Sequence, residues 1–235
     1  MSAWAARRFW TNASVLSVEG GFTIHLDARP VRTPLKAALV VPTRALAEAV
    51  AAEWQAQEGR IDPETMPFTR TANSAIDKVA PQMDEVAAML ASYGGSDLLC
   101  YRAEGPPDLV SRQAEAWDPI LIWALENLGA DLLVTEGVMH VEQPPESLSR
   151  LQERVAVLTP FQLAAFHDLV AISGSLVLAL AVTAGRVTAE DAWRLSRIDE
   201  DWQISLWGED EEAAEVAARK RAAFLQADRF YALCG

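Results

Sequence analysis

The chain has 235 residues, of which 51% are hydrophobic and 23% charged, a composition typical of a globular protein with a substantial core. Its 20 basic and 33 acidic residues give a formal net charge of -13. We therefore expect no nucleic-acid partner and no docking on anionic membranes, because phosphate contacts need clustered lysine and arginine. The most apolar stretch, residues 169–184, is shorter than the ~20 residues that cross a bilayer, so we expect no membrane insertion.

The first part of the chain has the pattern of a small antiparallel sheet combined with helices. Alternating residues on both sides of Gly20-Gly21 predict a β-hairpin. Short further strands are expected at 31–33 and 39–41, and apolar residues at intervals of four predict a one-sided helix after them. Residues 1–80 are therefore predicted to form an α+β domain.

Three threonines have the sequence context of helix caps. Thr43 precedes the first predicted helix, and Thr159 stands three residues before Gln162 in the spacing of a capping box. Thr188 begins a helix that we expect to continue as far as Trp207, where Gly208 ends it.

From about residue 81 onward the pattern is helical. Pro119 lies inside a helical pattern and predicts a kink or a break there. A short β segment is expected within residues 132–141, and the apolar stretch at 169–184 predicts a buried core helix. The predicted fold class is thus α+β, in which an all-helical domain at 81–235 follows the mixed antiparallel-sheet and helix domain.

The sequence lacks the motifs of the common enzyme classes, with no P-loop, no dinucleotide-binding glycine pattern and no G-x-S-x-G. His25, His140 and His167 are scattered, without the spacing of zinc ligands. Cys100 and Cys234 are far apart, and we expect one buried thiol and one near a frayed C-terminus. The sequence predicts no cofactor and no metal, and such cysteine usage is typical of an intracellular protein.

Tryptophan is unusually abundant, and three of the eight tryptophans lie on the predicted helix at 188–207. On a helical wheel Trp193, Ile204 and Trp207 form one stripe, and a second apolar stripe lies nearly opposite. A helix with two apolar faces is either enclosed in a core or offers one face to a partner. Glu200 lies within the first stripe, so it either pairs with a buried arginine or forms a charged contact within an aromatic binding surface.

Short motifs follow one another in order along most of the chain. They are RFW at 8–10, LDARPVRTP at 26–34, EWQAQ at 53–57, MPFT at 66–69, ANSAID at 72–77, DLLCYR at 97–102, Gln113 with WDP at 117–119, TAG at 183–185, and DEDWQ at 199–203 with WG at 207–208. Together they resemble the family of assembly chaperones that handle the free alpha subunit of the F-type ATP synthase. The family usually has glycine where this chain has Ala28, a difference that affects only a turn.

The resemblance implies a chaperone that is not an enzyme. Such a protein binds the unassembled alpha subunit and shields the apolar surface that faces beta, until beta displaces it. The resemblance also implies a sheet region followed by a helical domain. It selects the DEDWQ…WG segment for partner binding, first through Glu200 and then through Asp201, Trp202, Gln203 and Trp207. Trp54 matches a family position, but on an amphipathic helix we interpret it as packing.

Two other functions stay open at this point: a small-molecule enzyme that uses Glu200 as acid or base, and a passive scaffold within the assembled synthase. We expect a monomer in the bacterial cytoplasm, or in the mitochondrial matrix for a mature eukaryotic form. Eight acidic residues and no lysine or arginine lie between Asp199 and Ala218. This concentration of charge predicts a partner surface with basic groups around an apolar centre.

Overall fold

A computed structural model describes residues 7–235, and Trp4 lies outside this range. The chain forms two compact units. The first unit contains the described chain up to Met83 together with Thr159–Ala165 and Arg229–Gly235; the second contains Asp84–Leu158 and Phe166–Asp228. The first unit therefore extends three residues past the predicted boundary and also includes two short segments from further within the predicted domain 81–235.

The first unit contains a four-stranded antiparallel sheet. Its strands are β1 (Ala13–Val18), β2 (Gly21–Leu26), β3 (Arg29–Pro30) and β4 (Val40–Val41). The predicted hairpin is confirmed: β1 pairs with β2, which also pairs with β3 and β4. A side chain at Gly21 would collide with the Val41 carbonyl oxygen, because a Cβ built there lies 2.3 Å from that atom. The third strand begins earlier than predicted, because Asp27 adopts a φ of 54° and turns the chain directly after β2.

Helix α1 (Arg44–Gln55) packs on this sheet, and α2 (Pro67–Ser74) follows, continued by a π-helical turn at Ala75–Val79. The predicted cap is confirmed, since the Thr43 hydroxyl accepts a hydrogen bond from the Leu46 N–H. Trp54 lies edge-on to Trp10 with 5.4 Å between ring centres, so its interpretation as packing is confirmed as well.

The second unit is mostly helical, and the α+β class is confirmed. The remaining helices are α3 (Met83–Ala91), α4 (Pro107–Leu128), α5 (Pro145–Ala156), α6 (Pro160–Ser173), α7 (Leu176–Thr183), α8 (Ala189–Leu195), α9 (Ile198–Trp207) and α10 (Glu211–Ala232). Helix α4 continues through Pro119, so the helix is not broken there. Within 132–141 only β6 (Thr135–Glu136) forms, in parallel pairing with β5 (Tyr101–Arg102).

The apolar stretch at 169–184 forms parts of two helices rather than the single helix predicted. The chain turns at Gly174, which has a φ of 71°. A fully buried carboxylate, Asp97, accepts hydrogen bonds from the Ser175 hydroxyl at 2.7 Å and the Val177 N–H at 2.9 Å. These bonds satisfy groups at the start of α7 and favour a new helix there. In the described part of the chain, no helix combines the length and apolar character needed to cross a bilayer.

The predicted helix at 188–207 is also divided, into α8 and α9. The indole N–H of Trp117 donates to the Leu195 carbonyl at 2.8 Å. In a continuous helix this carbonyl would accept from the Asp199 N–H. Asp199 is itself held by the buried Gln113, whose side-chain amide donates to the Asp199 carboxylate. Two side chains of α4 therefore fix the break between the helices.

Both cysteines are buried, so the prediction of a frayed environment for Cys234 was wrong. Its thiol donates to the Phe230 carbonyl at 3.3 Å. Burial raises the pKa of both the Cys100 and Cys234 thiols to about 12, which keeps them protonated and unreactive at neutral pH.

Candidate functional site

An open groove with a volume of about 950 Å³ lies between α9 and the first half of α10. Its apolar lining comes from α8, α9 and α10, through Trp193, Ile204, Trp207, Val216 and a row of alanines. We call this feature the α9–α10 groove. It combines a concave shape with an apolar surface, as binding sites commonly do.

The apolar part of the α9–α10 groove is open to solvent. Trp207, the last residue of α9, is 76% exposed, and Ile204 and Val216 are exposed beside it. An exposed tryptophan leaves a large apolar area in water, and contiguous exposed apolar surface marks interaction sites. The groove therefore has the character of a surface that a macromolecular partner covers.

Arg197 lies close to both the aromatic and the acidic residues of the groove. Its guanidinium lies over the Trp193 ring, 5.3 Å from the ring centre, and its side chain is only 18% exposed. The same guanidinium lies 3.6 Å from the Glu200 carboxylate and 3.9 Å from that of Asp201, which are ion-pair distances beyond hydrogen-bonding range. Glu200 thus faces a largely buried arginine, while its own side chain is 55% exposed to solvent.

Further acidic residues border the groove where α9 ends and α10 begins. Glu209, Asp210 and Glu212 line it there, and the Asp210 carboxylate caps α10 by accepting from the Ala213 N–H at 2.8 Å. Among residues 7–235, no lysine or arginine nitrogen lies within 4 Å of these three carboxylates. Acidic groups at a helix start are stabilised by the helix dipole.

Basic groups are fewer around the groove. Lys220 and Arg221 line it on α10, and Arg221 forms a close ion pair with Glu190 at 2.6 Å. The net charge around the apolar centre is therefore negative, and it is most negative around residues 209–212.

No catalytic constellation accompanies Glu200 in this groove. Neither a histidine nor a cysteine is among the groove residues, and the described residues contain no cluster of three or more potential metal ligands. His140 is hydrogen-bonded with the Tyr101 hydroxyl, and His167 with Asp168, which raises the pKa of His167. An acid or base without a partner nucleophile or oriented substrate site gives no support to the enzyme hypothesis.

Comparison with known proteins shows to which family the chain belongs. The sequence profile of ATP12 chaperone proteins matches residues 7–125. The chain belongs to the ATP12 chaperone family. Its fold is similar to that of Atp12 from Paracoccus denitrificans, with a TM-score of 0.96 and 54% identity over 99% of this chain and 100% of that one. A single-residue mutant of the same P. denitrificans protein matches equally well, at 53% identity over all of both chains.

Two further relatives of this ATP12 chaperone extend the comparison. The Atu1473 protein of Agrobacterium tumefaciens is 44% identical over 97% of this chain and 86% of that one, with a TM-score of 0.93. The mitochondrial protein atp12 of Schizosaccharomyces pombe is 27% identical over 222 residues, 89% of this chain and 76% of its own length. The family profile ends before α9, whereas these matches cover most or all of the chain. Membership of a chaperone family indicates a role that is not enzymatic.

The sequence of this ATP12 chaperone predicted five partner-binding residues. Four of them line the α9–α10 groove: Glu200, Asp201, Gln203 and Trp207. Trp202 is half-buried and is not part of the groove lining. Sequence reasoning missed Arg197 and the contribution of α10. The alanine-rich first half of α10 was the available signal, because a helix with few large apolar residues has little of its own to bury.

Proposed function

We propose that this protein is an assembly chaperone of the F-type ATP synthase that binds the unassembled alpha subunit. It shields the apolar surface of alpha that faces beta, until beta displaces it during assembly. Membership of the ATP12 chaperone family supports a role in ATP synthase assembly. The observation that supports binding and shielding of alpha is the open apolar groove with the exposed Trp207 at its edge. An exposed interface on an orphan subunit is prone to aggregate, and a reversible cover prevents this.

The proposed contacts follow from the lining of the groove. Trp207 provides the apolar anchor, since tryptophan dominates the binding energy of many interfaces. Glu200 and Asp201 provide charged contacts beside it, and Gln203 provides a neutral hydrogen-bonding group. Trp202 is half-buried on the same helix, outside the groove lining. The acidic border favours a partner surface with basic groups around an apolar centre, and such complementarity accelerates association.

The test of this proposal is a pull-down with the full-length protein as bait. It should retain free alpha subunit, and it should be absent from the purified, fully assembled synthase. A protein that co-purifies with the finished enzyme in stoichiometric amounts is a scaffold instead. Failure to retain free alpha at micromolar concentrations would contradict the proposal directly.

A second measurement tests the shielding of alpha. Light scattering of isolated alpha subunit should show less aggregation when the protein is added, without ATP, since the sequence contains no P-loop. A strict nucleotide requirement on the side of the chaperone would contradict this mechanism. We further propose that the free protein is a monomer, because its apolar groove is complementary to a different chain. We place it in the bacterial cytoplasm, or in the matrix for a mitochondrial form. A stable dimer in light scattering would contradict the monomer.

A further inference from the structure

The first half of α10 is a helix with almost no packing of its own. None of residues 211–223 is buried, and the first buried side chain of α10 is Phe224, whose ring lies 6.3 Å from that of Trp193. Most helices in proteins are stabilised by packing of an apolar face. Here the helix is supported by alanine, which has the highest intrinsic helix propensity, and by the Asp210 cap.

The side of α10 that faces the groove carries small residues between Glu212 and Lys220. Ala213, Ala214, Ala217 and Ala218 line the groove, with Val216 beside them, and Ile204 and Trp207 stand opposite on α9. Small side chains allow the backbone of a third element to approach closely, while the larger residues of α9 pack along its side. The groove therefore has the shape of a two-helix trough that lacks a third member.

The backbone of the trough favours a helix as the occupant over an extended strand. Both walls are α-helices, whose N–H and C=O groups bond within their own helix, so neither wall offers the open edge that a partner strand needs. A helix that lays an apolar face into a groove needs no backbone hydrogen bonds from its receptor. Helix α9 has 10 residues and is therefore about 15 Å long, which matches two to three turns of a partner helix.

The charges of the trough define the polar face of the occupant. Glu200 and Asp201 are already within 4 Å of Arg197, so part of their charge is compensated inside the chain. Glu209 and Glu212 have no such partner among the described residues, and they leave an uncompensated negative region at the end of the trough where α9 connects to α10. Lysine or arginine beside the apolar face of the occupant would complement it.

From these features we infer that the α9–α10 groove binds an amphipathic, basic α-helix of two to three turns in the unassembled alpha subunit, which packs as a third helix against α9 and α10. This inference rests on the proposed function and adds the form of the recognised segment. It also assigns the principal charged contacts to Glu209 and Glu212 rather than to Glu200.

The experiment uses the full-length chain and purified alpha subunit. The variant Ala218→Trp fills the trough and should weaken alpha binding by at least about tenfold, because a bulky side chain excludes the third helix. The control Ala223→Trp alters an exposed alanine of α10 that does not line the groove, and it should change affinity less than about twofold. Circular dichroism and thermal melting verify that both variants fold.

A photo-crosslinker at position 214 identifies the occupant. Crosslinked sites in alpha should recur at intervals of three or four residues within one segment that contains lysine or arginine, as the face of a helix requires. Crosslinks to adjacent residues of an extended segment would overturn the inference, as would unchanged affinity of Ala218→Trp. The proposed function would survive either result, provided that the unmodified protein still retains alpha. Absence of binding by the unmodified protein would overturn both.

The charge assignment has its own comparison. The double variant Glu209→Gln with Glu212→Gln should lower affinity for alpha more than Glu200→Gln does, and the difference should shrink at high salt. Equal losses at all salt concentrations would overturn the assignment of the contact to Glu209 and Glu212.

Discussion

The guanidinium of Arg197 lies 5.3 Å from the centre of the Trp193 ring, at the point where α8 ends and α9 begins. A cation over an indole face is attracted by the negative face of the ring, and more strongly where water is excluded. Because Arg197 also faces Glu200 and Asp201, this contact connects the buried tryptophan to the acidic face of α9.

Replacing Glu200 by lysine should weaken the complex with alpha by at least about tenfold, because it reverses a charge at the groove and places a cation beside Arg197. The Glu200 side chain is exposed, so the free energy of unfolding should change by no more than about 0.5 kcal/mol. Calorimetric titration and thermal melting measure the two effects, with Glu200→Gln as the control of equal shape. A melting temperature that falls as strongly as the affinity would mean that Glu200 is a structural residue.

Truncating Trp207 to alanine should cost about 2 kcal/mol or more of binding free energy, since it removes the largest exposed apolar group of the groove. Stability should be unchanged within about 0.5 kcal/mol, because the ring makes few internal contacts. The matched control is Met139→Ala, which removes a similarly exposed apolar side chain that is not part of the groove. Equal losses of affinity in the two variants would contradict a specific anchor at Trp207.

The Glu53 side chain, which belongs to α1, caps the start of α2, and its removal should destabilise the first unit. Its carboxylate accepts from the Phe68 N–H at 2.6 Å and from the Thr69 N–H and hydroxyl at 2.7 Å. Glu53→Ala leaves these donors unpaired and should lower the free energy of unfolding by about 1–3 kcal/mol. Glu48→Ala is the control on the same helix, where an exposed ion pair with Arg44 should matter by less than about 1 kcal/mol. Urea denaturation showing equal effects would be evidence against the cap.

Asp97 should make stability depend on pH. Burial raises its pKa to about 6, although the N–H groups of Val177 and Leu99 and the Ser175 hydroxyl oppose the shift. The unfolded value is about 3.9, so the folded state binds the proton more tightly, and the contribution of Asp97 to stability rises as pH falls through about 6. It should be about 1 kcal/mol larger at pH 5 than at pH 8.

The variant Asp97→Asn isolates this effect. It should be less stable than the natural protein at every pH, because its amide group faces hydrogen-bond donors. The difference in unfolding free energy between the two proteins should grow as the pH is lowered from 8 to 5. Denaturant titrations at both pH values measure it, and a difference that stays constant or shrinks toward pH 5 would refute the assignment.

Features that depend on neighbours in sequence were predictable. The hairpin at Gly20-Gly21 needs only alternation and a residue that tolerates positive φ, and it formed as expected. The caps at Thr43, Thr159 and Thr188 were also found, because a side-chain oxygen and the N–H three residues later are close in any helix start. The family motifs likewise indicated the segment that lines the groove.

The sequence by itself thus determined the α+β class, the three threonine-capped helix starts and the acidic, tryptophan-rich segment, since these depend mainly on patterns among neighbouring residues. Only the tertiary structure decided that the helix at 188–207 is divided, because the Leu195 carbonyl is occupied by the indole of Trp117, 78 residues away in the chain. It also decided that Arg197 lies beneath the acidic face of α9 and that α10 forms the opposite wall of the groove. A helical wheel assumes an unbroken helix. A local sequence pattern cannot show that a side chain far away in the chain will occupy one of the helix carbonyls.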